Sequence, residues 1–499
     1  MVQTVPHIIH GDVLADSDVS FLAVHSSVSG QKIAQVPIAD KAQCHQAVQA
    51  AQAAFESWSA TPPVKRAQIL FKFRDLLDKH QAQLAALITR EHGKTLDDAT
   101  GSIMRAIEVV EVHCGVLSEL QGYFSANVSK AIDCWTTCEP LGVCAGVSPF
   151  NFPVMVPVWM MIPAIAAGNT FILKPSEQAP SAPNYLVDLL VQAGLPAGVV
   201  QVLHGDKSTV DHLLIHPGIS AFTAVASTPV AEHIYKQATE YGKRAHTFGG
   251  AKNHAVIMPD ADLDQTAHAL MGAAFGSAGE RCMAISAVVV VGEAVADRLI
   301  ERMKPMIQSM KIDAGDVVGC EMGPLISEAH RERVLQAITE GVDEGADLVL
   351  DGRLFTHPEY PNGYFVGPSL FDHVTEDMRV YQREIFGPVL VVLRVKSFDE
   401  ALALVNRNLY GNGTAIFTRS GYYAREYSRR VQVGMVGINV PIPVPIATHP
   451  FGGWKRSAFG DTGMHGADSI HFYTRKKTVT ARWPMDGAHE EHVFAMPTH

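Results

Sequence analysis

From residue 142 onward, short runs of strand-forming residues alternate with helical stretches, and this rhythm limits the fold more than any other feature of the chain. Residues 142–147 read as a strand and 148–152 as a turn. A proline-containing helix and a strand at 170–174 follow. A helix near 183–192, a strand at 199–203, another helix and a strand at 221–225 continue the pattern. Strands joined by crossover helices make a parallel, doubly wound α/β sheet. Such sheets take ligands at the carboxyl ends of their strands, where Lys174 and Ser227 fall. Ser227-Thr228-Pro229 predicts a helix with a hydroxyl cap and an early proline. A helix N-terminus there suits a pyrophosphate. The GxGxxG loop is absent, so a dinucleotide bound here does not use it.

A second alternating region begins near residue 253, and 499 residues suffice for two or three domains with sizeable cores. The net charge of −11 disfavours nucleic acid as a bulk partner. The seven cysteines are odd in number and scattered without a CxxC, which points to a reducing, cytoplasmic setting and no disulfide framework. Cys134 and Cys138 lack the neighbours of a zinc site, and no metal is expected. The first ten residues lack the basic and apolar regions of a secretory signal. Residues 152–168 are 17 uncharged positions, but Pro153, Pro157 and Pro163 interrupt them and the run is short for a bilayer. They read as a buried helix, and no membrane is expected. Residues 41–58, 64–94 and 95–121 show helical spacing. Residues 125–141 and 470–483 alternate like strands outside the main pattern, as two ribbons that pair with each other or with another subunit. The tail beyond Trp483 is polar and reads as loose. Its His489 and His492 are three apart, one short of the zinc-binding HExxH spacing.

A lone cysteine then draws attention. In Phe275-Gly276-Ser277-Ala278-Gly279-Glu280-Arg281-Cys282, small residues follow a helical stretch and precede an apolar strand. A sulfur on such a turn can stand at the bottom of a cleft. Backbone N–H groups and Arg281 are expected to favour its thiolate, the nucleophilic form. A buried, inert cysteine is the alternative.

Five motifs occur in a fixed order: Pro149-Phe150-Asn151-Phe152-Pro153, Leu173-Lys174-Pro175-Ser176-Glu177, the turn to Cys282, Glu384-Ile385-Phe386-Gly387-Pro388 and Pro450-Phe451-Gly452-Gly453. In that order they resemble the aldehyde dehydrogenase superfamily over roughly residues 10–485. Gly250-Ala251-Lys252-Asn253-His254, the 439–445 loop and Phe472-Tyr473-Thr474-Arg475-Lys476-Lys477 are similar to its coenzyme A-acylating branch, the methylmalonate-semialdehyde dehydrogenases. The resemblance implies two doubly wound α/β domains and a small β oligomerisation ribbon. An NAD-binding domain would cover 1–122 and 143–252, a catalytic domain 253–465, and the ribbon 123–142 and 466–485. Residues 486–499 would form the tail. A homo-oligomer, dimer or tetramer, is implied with it.

The same resemblance makes Cys282 the nucleophile, with the Asn151 amide and the Cys282 N–H as donors to the oxyanion. Lys174 and Glu177 would hold the adenosine ribose, Ser227 the pyrophosphate and Glu384 the nicotinamide ribose. Ser148, Phe150, Gln178 and Gly249 would complete the cofactor site. A carboxylate at Glu177 favours NAD over its 2′-phosphorylated form. Arg105 and Arg281 would grip the carboxylate of a semialdehyde. Two positions depart from the pattern. Ala226 replaces a common glycine, and Phe248 stands where hydrolytic members place a glutamate. A phenyl ring takes no proton, and such a base is worth roughly 10²–10⁴ in rate. Coenzyme A as acyl acceptor follows. The alternatives are a hydrolytic aldehyde dehydrogenase releasing a free acid, or a binding protein that kept the fold.

Overall fold

The computed structural model of the chain describes residues 3–14 and 20–483, so the polar tail and its two histidines lie outside the described residues. An eight-stranded sheet carries the first half. Strands Val200–Val202, Thr170–Lys174, Val143–Val147, Ile219–Val225 and Arg244–Phe248 lie side by side in that order, all parallel. The first three in sequence run one way across the sheet and the last two the other. The order therefore reverses between Val143–Val147 and Ile219–Val225, the point at which sheets of this kind form a ligand crevice beyond the strand ends. Gly146 lies on the first of these strands because a Cβ would meet the Phe171 ring at 2.7 Å and the Thr223 methyl at 2.9 Å.

Every residue of helix Met155–Ala166 is buried against this sheet. A helix that is apolar all round belongs inside a protein, which accounts for the uncharged run. Among the described residues no helix is long and apolar enough to cross a membrane. The helical stretch expected at 64–94 is two helices, Pro63–Lys79 and Gln81–His92, the second ended by Gly93 at φ +89°.

The second half builds a seven-stranded sheet. Its order is Asp347–Leu350, Ser369–Asp372, Val389–Val395, Ile285–Val291, Asn253–Ile257, Gly413–Phe417 and Met435–Ile438. Only the first pair is antiparallel. Strands buried on both faces read as continuous apolar runs, as in Val288–Val289–Val290–Val291.

The two remote ribbons pair with each other. Thr474–Arg482 runs antiparallel to Ile132–Pro140, which pairs with Phe124–Ser129. The indole N–H of Trp483 donates to Asp133 at 2.8 Å. Two boundaries differ from expectation. Residues 467–473 form a helix, Ala467–Tyr473, before the ribbon strand begins. Phe472 and Tyr473 are buried, and Phe472 stacks on His246 with 3.6 Å between ring centroids. Aromatic side chains that suit a strand are here anchors of a docked helix. Strand Ala458–Phe459, expected with the catalytic half, pairs instead with Thr247–Phe248 of the first sheet. It covers an edge that would otherwise be open to another chain.

Candidate active site

Helix Leu263–Phe275 runs into a short 3₁₀ turn, Gly276–Gly279, that delivers Cys282 between the two sheets. Ser277 and Ala278 take left-handed conformations at φ 54° and 50°, and Gly279 follows at 73°. For residues with a Cβ this costs about 1–2 kcal/mol each. Gly279 is required for a second reason: a Cβ there would lie 2.2 Å from the Gly387 carbonyl oxygen.

The peptide at Cys282 is fixed by two asparagines absent from the sequence expectation. Asn253 Nδ2 and Asn412 Nδ2 donate to the Cys282 carbonyl at 2.8 and 2.9 Å. Asn253 lay within a quoted motif, and Asn412 sits between two glycines; those were the only signals. Asn151 is buried, and its Nδ2 donates at 2.9 Å to the carbonyl of Glu280, two residues before the sulfur. One amide hydrogen is thereby anchored and the other remains available.

Cys282 is partly exposed and borders two spaces. One is a cavity of about 210 Å³ whose walls include Phe152, Trp159 and Phe451 together with Asp98, Arg105 and Arg281. The other is a narrow cleft in which Glu384 is the only carboxylate among the described residues. Glu384 accepts from the Ala251 N–H at 2.8 Å. Burial pushes its carboxyl up to about 7, against the pull of that hydrogen bond and of Lys252.

The expected thiolate is not what the resting site favours. Burial, with the charge of Glu384 added, pushes the Cys282 thiol up to about 12. The N–H groups of Cys282 and Met283 and the charge of Lys94 oppose this without cancelling it. Arg281 is turned elsewhere: its Nη2 meets Asp98 Oδ1 at 2.5 Å, and its Nη1 donates to Gly272 O at 3.2 Å. In the free protein, alkylation of Cys282 by iodoacetamide is expected to climb about tenfold per pH unit from about pH 7 to 10. A thiol near its ordinary pKa of about 8.5 would level off instead. Peptide-resolved mass spectrometry distinguishes the two curves.

Both arginines are partly engaged. Arg105 pairs with Glu108 at 2.6 Å and donates to the Pro445 carbonyl at 2.5 Å. Asp98 lies between Arg281 and Lys94, whose Nζ stands 2.9 Å from Oδ2, and the two cations hold its carboxyl well below the usual range despite burial.

At the crevice of the first sheet, Lys174 Nζ is 3.0 Å from Glu177 Oε2. Gln178 N–H donates to the Ser176 hydroxyl at 3.3 Å. Ser148 is buried, and its hydroxyl has no hydrogen-bond partner among the described residues. Phe150 stacks on His92 and meets Phe386 edge-on. Ser227 precedes helix Thr228–Glu240 but makes no side-chain cap, contrary to expectation. Its side chain is exposed, while the Thr228 hydroxyl turns inward to accept from the Gly250 N–H at 2.9 Å. Gly249 is closely packed, since a Cβ would stand 2.9 Å from the Arg456 carbonyl oxygen and 3.1 Å from the Thr228 hydroxyl. Ala226 donates its N–H to Phe248 O at 3.0 Å. Phe248 itself is buried at the end of its strand, with its ring 5.3 Å from that of His246 and 6.4 Å from that of Phe451.

The model of the aldehyde dehydrogenase family matches residues 14–479. A malonate-semialdehyde dehydrogenase of Pseudomonas aeruginosa is 52% identical over 99% of both chains. A Dictyostelium discoideum relative, 43% identical over 97% of this chain and 92% of its own, is named as a probable acylating methylmalonate-semialdehyde/malonate-semialdehyde dehydrogenase. Among solved structures, a Sinorhizobium meliloti protein complexed with NAD superposes with a TM-score of 0.96 at 48% identity, covering 98% of this chain and 99% of its own. A methylmalonate-semialdehyde dehydrogenase of Oceanimonas doudoroffii gives the same score and identity over 97% and 99%.

Proposed function

This chain belongs to the aldehyde dehydrogenase family, and from that premise we propose that it oxidises malonate or methylmalonate semialdehyde with NAD and passes the acyl group to coenzyme A. One observation carries the substrate reading. The cavity beside Cys282 is apolar except for Ser102, Asp98 and two guanidinium groups, Arg105 and Arg281. Asp98 is already balanced by Lys94 and Arg281. Their remaining N–H groups suit a small carboxylate.

The crevice residues fit NAD: a buried Ser148 hydroxyl without a partner among the described residues, a Ser227 at a helix start whose side chain makes no cap, and a Glu177 carboxylate beside Lys174. Lys174 and Glu177 would hold the adenosine ribose, Ser227 the pyrophosphate and Glu384 the nicotinamide ribose, with Ser148, Phe150, Gln178 and Gly249 around them. When bound, NAD supplies the acceptor for the hydride that leaves the substrate carbon.

The chain's own residues do the rest. The Cys282 thiol gives its proton to solvent water and the sulfur bonds to the aldehyde carbon, whose carbonyl electron pair moves onto oxygen. The Asn151 amide and the Cys282 N–H stabilise the resulting oxyanion, and oxidation leaves a thioester on Cys282. Arg105 and Arg281 orient the β-carboxylate. That group departs as carbon dioxide while the thioester carbonyl takes up its electron pair, and the resulting enolate takes a proton from solvent at the carbon that lost the carboxylate. The thiol of coenzyme A then forms the new carbon–sulfur bond, Cys282 leaves as thiolate, and the proton given up by coenzyme A restores the Cys282 thiol. Water competes poorly, because the ring of Phe248 offers it no base. The products are acetyl-CoA or propionyl-CoA. The ribbon, with Tyr123 and Phe124 exposed, would join this chain to a second copy in the cytoplasm.

NADH formation over a panel of aldehydes tests this reading. Turnover is expected to depend on coenzyme A and to favour three- and four-carbon semialdehydes bearing a β-carboxylate; equal rates without coenzyme A, with a free acid as product, would overturn it. Arg281→Ala is expected to raise KM for the semialdehyde about 10- to 100-fold, the worth of charge-assisted hydrogen bonds. Propanal should be oxidised within about twofold of wild type, since it never used those bonds. Equal loss for both substrates would remove Arg281 from selectivity.

A further inference from the structure

Behind the nucleophile turn lies a knot of titratable side chains that the mechanism above does not use. Glu280 and His92 are fully buried there. Glu280 Oε1 accepts from the Ile326 N–H at 3.1 Å, and Oε2 has no hydrogen-bond partner among the described residues. His92 Nε2 faces that oxygen at 3.5 Å, and neither nitrogen of the His92 ring is hydrogen-bonded to any of the described residues.

The surrounding groups give an ionised Glu280 little support: the Ile326 N–H and the charge of Lys94 favour it, and burial outweighs both. Lys94, in the loop after His92, is paired with Asp98 on helix Leu96–Cys114. Arg281 points at the same aspartate and at Gly272 O. His330, on helix Glu328–Asp343, is 3.5 Å from Oε1, but it donates that ring N–H to Phe386 O at 2.7 Å and accepts from Arg333 on its other nitrogen. A carboxylate has about four acceptor sites, and here one N–H serves them. A neutral carboxyl needs far less: one acceptor for its own O–H, which His92 Nε2 supplies after a small approach. Burial acts in the same sense, holding the Glu280 carboxyl well above its usual range and the His92 imidazole well below.

The pair also joins two loops. The His92 ring stacks on Phe150, with centroids 5.7 Å apart, and Phe150 immediately precedes Asn151. The Glu280 carbonyl receives the Asn151 amide, and Cys282 follows two residues later. We propose that Glu280 is a neutral carboxylic acid that donates its hydrogen bond to His92, and that this pair is a positioning device holding the oxyanion loop against the nucleophile turn. The role in catalysis rests on the reading of Cys282 and Asn151 given above; the protonation state does not.

Glu280→Gln keeps one acceptor and one donor in the same place, so kcat, KM and the pH profile should stay within about twofold of wild type. Glu280→Leu keeps the size and loses both. It should lower kcat about 10- to 100-fold, as a slight misplacement of reacting groups does, with KM for aldehyde and NAD little changed. The infrared spectrum of wild type minus Glu280→Gln at neutral pH should contain the carbonyl stretch of a protonated carboxylic acid. A glutamine variant as slow as the leucine variant, a leucine variant as fast as wild type, or no such band would each overturn the proposal. Should the leucine variant fail to fold, the glutamine kinetics and the band still decide. A wild-type chain that oxidises no aldehyde would reject the functional reading instead, leaving the band to judge the protonation.

Discussion

Cys282→Ala is expected to end aldehyde oxidation, with a loss of about 10⁴-fold or more, the scale on which a covalent nucleophile contributes. The fold should tolerate it. The sulfur lies at the boundary of a cavity and a cleft, so its removal deletes little packing. The conformation of the turn rests on main-chain contacts instead, with Asn253 and Asn412 gripping the carbonyl of residue 282 whatever its side chain. Tryptophan fluorescence and NAD titration should match wild type while NADH production disappears. Retained turnover would place the chemistry on another group.

Asn151→Ala should have the next largest effect, lowering kcat about 10²- to 10³-fold, as loss of one oxyanion donor does elsewhere. KM should change little, because the donor matters most once the oxygen carries charge. The variant also strips a partner from the Glu280 carbonyl, which costs about 1 kcal/mol of stability. A thermal melt separates that loss from the catalytic one. If kcat stays within about threefold, the Cys282 N–H alone suffices for the oxyanion and the role of Asn151 reduces to shaping the turn.

Much of the scaffold was legible because its strands are buried on both faces. Thr170–Lys174 and Ile285–Val291 are continuous runs of strand formers, and helical spacings between them dictate a parallel sheet. The cysteine turn was legible through its glycines, of which Gly279 answers to a carbonyl 2.2 Å from where its Cβ would be. Helix Ala467–Tyr473 was not. Phe472 and Tyr473 favour a strand locally, and only their burial against His246 and the first sheet makes a docked helix of them.

The electrostatics were the least legible part. Arg281 adjoins Cys282 in sequence, which suggested a stabilised thiolate. Its guanidinium instead reaches Asp98, 183 residues away along the chain. Burial is a tertiary property, and it reversed the expected shift of the sulfur. The Ser227 cap failed for a related reason: Thr228, one residue later, supplies the hydroxyl that faces the glycine loop. His92, Lys94 and Glu280 gave no sign in a single sequence, because each is informative only beside the others.

The proposed chemistry depends on an acyl-enzyme that forms readily and persists until a thiol arrives. Intact-mass spectrometry of the protein mixed with NAD and malonate semialdehyde, quenched over time without coenzyme A, observes that species directly. An adduct on Cys282 that builds up, outlasts the first turnover and vanishes when coenzyme A is added is the expected result. A sulfur that stays unmodified while NADH accumulates through many turnovers without coenzyme A would contradict it.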